Sequence, residues 1–216
     1  MMLPTGKITK YINIGKTRTG KLVFKKHDLS IDWVQKSVLS SIKKLEKFYK
    51  IKSPLINLEL VYSREEFNKI VGRETPEWMV AIALENKIYL FSASIVEKFS
   101  SHKKSSLKKI ITHEICHLFN NKLNKNILAW VDEGTALFLS NQEKPEDLKK
   151  TEWNFFIKNF LTKNIDYQSF CTHNGYKISY WAVRIIVETF NRDMLLNLIK
   201  INLKKEQGKR AENIKK

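Results

Sequence analysis

Two histidines four residues apart with a glutamate between them, His113-Glu114-Ile115-Cys116-His117, are the residues of this chain whose types and spacing best suit joint chemistry. On a helix, positions i and i+4 leave from one face about 40° apart, so the two imidazoles can hold a single divalent ion between them. Glu114 then stands beside that ion. A second glutamate lies in the apolar stretch Trp130-Val131-Asp132-Glu133-Gly134-Thr135-Ala136, where a second helix can bring Glu133 in as a third ligand. Three protein ligands leave the fourth position of a tetrahedral zinc ion to water, the feature that separates catalytic from structural zinc.

The elements that must position these groups are legible around them. With His113 set at 0° and about 100° per residue, Leu107, Ile111, Ile115 and Leu118 form one apolar stripe and the histidines lie off it. This predicts a helix over residues 106 to 119, capped by Ser105 or Ser106 and ended by Asn120-Asn121. A second helix is expected over 131 to 141. Cys116 is rotated about 100° from His117 and reads as a packing residue rather than a fourth ligand. With Cys171 it makes two cysteines, too few for a disulfide framework.

The two segments resemble the gluzincin division of zinc metallopeptidases, the peptidase MA-like proteins in which His-Glu-x-x-His is followed by a Trp-x-x-Glu-Gly-x-Ala stretch. The likeness covers residues 106 to 139. It implies a zincin-like fold and a Zn2+ cofactor held by His113, His117 and Glu133. It also implies peptide-bond hydrolysis with Glu114 as general base, on a peptide or protein substrate. Gluzincin-like proteins often carry a tyrosine at the start of a later helix to donate to the developing oxyanion, which points to Tyr176, with Tyr180 second and His173 also in range. No segment matches the separate glutamate motif with which larger aminopeptidases grip a free N-terminus, so the resemblance leans toward an endopeptidase. The chain departs from the thermolysin-like pattern at Leu137, where those enzymes have an aspartate, and this leaves Asp132 as a minor candidate for orienting a ligand histidine. Asn120 and Leu123 occupy the positions of the glycine and third histidine of metzincins, which sets that class aside.

A net charge of +17 invites a nucleic-acid reading. The positive charge is mostly lysine, spread along the whole chain, whereas base and phosphate recognition favours clustered arginine with interleaved aromatics. The expectation is a solvated basic surface and no specific nucleic-acid partner. Two other classes stay open: a catalytically silent zinc-binding protein, and a nucleic-acid-associated protein with a protease-like fold. No run is apolar enough for a transmembrane span, and Met1 to Gly20 lacks a secretory leader pattern, so the chain reads as cytoplasmic.

The expected fold class is α+β with a cleft between two lobes. Residues 1–102 form a mixed lobe with a small sheet, residues 103–203 a helical lobe carrying the zinc site, and residues 204–216 a charged tail, frayed or disordered. In the first lobe, strands at 8–14 and 21–25 flank a turn, a helix runs from Ser30 to Tyr49, a strand from Ile56 to Tyr62 and a short helix from Arg64 to Val71. Met79 to Leu84 and Lys87 to Phe91 form a hairpin turning at Glu85-Asn86, whose outer strand can pair with an extended peptide. In the second lobe, helical segments are expected at Trp153 to Leu161, Ser179 to Phe190 and 193–203.

Overall fold

The computed structural model describes residues 6–14, 17–142, 145–161 and 166–201; the 204–216 tail and the Gly15-Lys16 turn lie outside this set. The fold is mixed α+β, a five-stranded mixed sheet with helices. The chain divides into two compact units, Met1–Phe119 and Asn120–Lys216.

The first unit opens with β1 (Lys7–Ile14) and β2 (Thr17–Lys25), paired antiparallel. After α1 (Ile31–Tyr49) come β3 (Ile56–Val61), α2 (Arg64–Val71), β4 (Ala81–Leu84), β5 (Lys87–Phe91) and the single turn α3 (Val96–Phe99). The sheet order is β1-β2-β3-β5-β4, with β2, β3 and β5 parallel and β4 antiparallel at one edge. Alternation of Ile56, Leu58 and Leu60 on β3 puts these side chains into the core together with Leu22, Ile88 and Leu90. Gly20 has no substitute here, because a Cβ on it would sit 1.7 Å from the Ile56 carbonyl oxygen of the neighbouring strand.

Val34, Val38, Ile42 and Leu45 recur at helical spacing on α1 and are fully buried. Arg64 at the start of α2 holds the approach to β4. Its guanidinium donates to the carbonyls of Met79 at 2.6 Å, Glu77 at 2.9 Å and Phe99 at 2.8 Å while lying over the Phe91 ring. Across the polar face of the sheet, Glu59 accepts from Lys7 at 2.6 Å and also pairs with Lys87.

A 3-10 turn at Lys104–Ser106 leads into α4 (Leu107–Leu123), followed by α5 (Ala129–Ser140), α6 (Lys150–Asn159), α7 (Tyr167–Thr172), α8 (Gly175–Thr189) and α9 (Arg192–Lys200). The second unit is knit by aromatic rings. Trp130 meets Phe156 edge-on at 5.1 Å, Phe156 meets Phe160 at 6.1 Å, Phe160 stacks on Phe170 at 5.8 Å, and Phe170 meets Tyr176 edge-on at 5.0 Å. Such pairs add to plain burial, so this row fixes α5 to α8 through α6 and α7. Among the described residues no helix is long and apolar enough to cross a membrane.

Candidate metal centre

Helix α4 runs four residues past the expected end, through Asn120 and Asn121 to Leu123. One of its faces is fastened to α1 within the first unit. Thr112 Oγ1 lies 2.7 Å from Ser41 Oγ, Cys116 Sγ lies 3.0 Å from the Tyr49 hydroxyl, and Phe119 stacks on the Tyr49 ring with centroids 5.1 Å apart. A second face buries Leu107, Ile111, Ile115 and Leu118. The histidines occupy the third. Their rings stand 4.7 Å apart, nearly perpendicular, and His113 and Glu114 are 9% and 8% exposed.

Among the described residues, one group of histidine, cysteine and acidic side chains has the spacing to hold a metal ion: His113, His117 and Glu133. Each offers one ligand atom, and these atoms lie within 4.8 Å of one another. A tetrahedral ion with bonds of about 2.0–2.1 Å sets its ligand atoms about 3.4 Å apart, so the three atoms would draw in by about 1.4 Å at most around an ion. Two imidazoles and a carboxylate also suit a borderline divalent ion such as zinc better than a hard one such as calcium or magnesium. The donor set fits.

The carboxylate is placed by close packing on both sides of its residue. Gly134 faces α8 so tightly that a Cβ would lie 2.3 Å from the Ser179 carbonyl oxygen and 2.7 Å from Val183 Cγ2. Asp132 Oδ1 accepts a hydrogen bond of 2.7 Å from Asn120 Nδ2. Asp132, the minor candidate for orienting a histidine, is thus engaged by an asparagine from α4. Asn124, one turn further, donates to the carbonyls of Ile199 and Ile201 at 2.9 Å each. Asn120 continues the histidine face at i+7 from His113, and Asn124 follows directly after the end of α4.

Tyr176 is the second residue of α8. It precedes Ser179 and Val183 by three and seven positions and so shares the α8 face that meets Gly134. Tyr180 is turned about 100° from Ser179, and its hydroxyl receives Arg184 Nη1 at 3.4 Å. His173 stacks on Phe155 at 4.2 Å, with Nδ1 2.8 Å from the Ser169 carbonyl oxygen, a packing role. A separate groove lined by Asn57, Ile70, Leu84, Lys87 and Tyr89 holds none of these residues. A scan against protein-family models and a search of curated proteins both found no match.

Proposed function

We propose that this protein is a zinc-dependent peptidase of the gluzincin type, zincin-like in fold, acting on peptide or protein substrates as an endopeptidase. The observation that carries the proposal is the convergence of His113, His117 and Glu133, one ligand atom from each within 4.8 Å of the others, beside a nearly buried Glu114. His113, His117 and Glu133 hold the ion. When bound, zinc supplies Lewis acidity, making a water acidic near neutral pH and polarising a carbonyl. Glu114 follows His113 on α4, accepts the proton of the attacking water and returns it to the leaving amine, as general base and then general acid. The Tyr176 hydroxyl donates to the oxyanion that develops on the scissile carbonyl.

The sheet supports the same reading. β4 is an edge strand, antiparallel to β5 and short of a neighbour on its outer side among the described residues. An extended substrate can add there through backbone hydrogen bonds that need no particular side chain.

The test is Glu114→Gln. It should keep one zinc per chain and abolish cleavage of a quenched peptide library, with acetylated and free peptides cut equally well by the parent. Zinc-loaded parent protein that cleaves nothing in such a library would defeat the peptidase reading.

A further inference from the structure

His113, His117 and Asn120 form one stripe along α4, and Asn124 follows directly after the helix ends. The imidazoles belong to the candidate metal centre with Glu133, and the two amides tie this end of α4 to other segments. We propose that Asn120 is a positioning residue for the metal centre, its hydrogen bond to Asp132 fixing the Glu133 carboxylate against the two imidazoles. This rests on the metal site of the proposed function and adds a group outside the ligand set.

Asn120 is 0% exposed, so its amide has little freedom to exchange partners with water. Its Nδ2 lies 2.7 Å from Asp132 Oδ1 and 3.5 Å from the Asp132 carbonyl oxygen, directing it at both the side chain and the main chain of the residue just before Glu133. A bond to a charged acceptor is the short, strong kind. On the other side of Glu133, Gly134 is pressed against the α8 backbone. Glu133 is therefore the middle of three residues whose neighbours are both held. Asn120 stands three residues after His117 on the same helix, and Asp132 directly precedes Glu133, so the bond links residues next in line to ligands on both segments. Groups that orient a ligand by a direct hydrogen bond are worth about 10- to 100-fold in metal affinity when removed, and that range bounds what Asn120 supplies through Asp132.

Asn124 supplies the control, since it makes two comparable hydrogen bonds from just past the end of α4 to the end of α9. Zinc affinity by chelator competition and the visible absorption of the cobalt-loaded protein are to be measured for Asn120→Ala, Asp132→Ala, Asn124→Ala and the exchanged pair Asn120→Asp with Asp132→Asn. Asn120→Ala and Asp132→Ala should weaken zinc by about 10- to 100-fold and alter the cobalt spectrum. The exchanged pair, with the amide donating from the α5 side, should recover to within a few-fold of the parent. Asn124→Ala should lower the melting temperature and leave zinc binding alone. If Asn120→Ala fails to fold, Asp132→Ala removes the same bond at a half-buried position and carries the comparison. Parent-like zinc affinity and cobalt spectrum in Asp132→Ala, or an equal loss of zinc in Asn124→Ala, would overturn the inference while leaving the metal site standing. A parent chain that binds no zinc would remove both.

Discussion

At the level of single residues, α4 shows how the faces of one helix are divided among different tasks. Thr112, Cys116 and Phe119 meet α1, Ile111 and Ile115 enter the core, and His113 and His117 face Glu133. Cys116 sits between the histidines in sequence but belongs to the α1 contact, where Tyr49 satisfies its thiol. Wheel geometry separates the histidines from the apolar stripe, so that division of the helix was legible in the sequence. A less obvious residue is Ser179, whose buried Oγ has no hydrogen-bond partner among the described residues. Burying a hydroxyl without a partner is unfavourable by about 1–3 kcal/mol, and removing it restores nothing to water that was lost. Ser179→Ala should therefore leave stability unchanged or raise it by about 1 kcal/mol, read as an unshifted or higher melting temperature. A drop of more than about 1 kcal/mol would mean that the hydroxyl is bonded after all.

Among the elements, the pairing of α5 with α8 places the Glu133 turn. Gly134 is the point of closest approach, and a methyl group there would meet the Ser179 carbonyl at 2.3 Å, where only backbone displacement can make room. Overpacking against rigid neighbours destabilises by about 1–3 kcal/mol, so Gly134→Ala should lose that much stability, read from a lower urea midpoint, and under the proposed function should weaken zinc binding as α5 shifts. Unchanged stability would show that α8 yields. The long periodic elements were readable from the chain, with α1, β3, α2, the β4–β5 hairpin and α5 within a few residues of their observed limits. Elements whose ends depend on tertiary contacts were not. Asn120 looks like a helix stop by propensity, yet its amide is occupied by Asp132 and the helix runs on. α7 is six residues long, too short for a periodic signal, and its one local mark is the Asp166 side chain capping Ser169. The order of the sheet, with β2 beside β3 and β3 beside β5, comes from long-range parallel pairing that no local pattern encodes.

For the molecule as a whole, a chain of net charge +17 places each carboxylate among many lysines, and those that are partly buried couple folding to pH. Burial works to raise the Glu59 pKa, but hydrogen bonds from Lys7 and Lys87 outweigh it and hold the carboxyl below its ordinary range. Asp28 is held low in the same way, burial being overcome by hydrogen bonds from Ser30, Ser92 and Tyr62. A carboxylate depressed on folding gives stability that is present above its unfolded value, about 4, and is lost as pH falls through the lower folded value. Lys7 and Lys87 are shifted upward, the pull of burial outweighed by Glu59, which is joined by Glu66 at Lys7 and by Tyr89 at Lys87. Their contribution is present below the unfolded lysine value of about 10.4 and is lost as pH rises through the higher folded one. Stability should thus be level between these limits and fall on both sides. Glu59→Gln removes the shared partner of both lysines, so it should lower the plateau by about 1 kcal/mol and flatten both the acid and the alkaline slopes, measured as melting temperature against pH. Retention of the alkaline slope in Glu59→Gln would place its origin outside the Lys7–Glu59–Lys87 row. Equal slopes at 1 M salt would argue the same way, because screening at about 3 Å weakens ion pairs such as Lys7–Glu59 more than the hydrogen bonds from uncharged donors that hold Asp28 low.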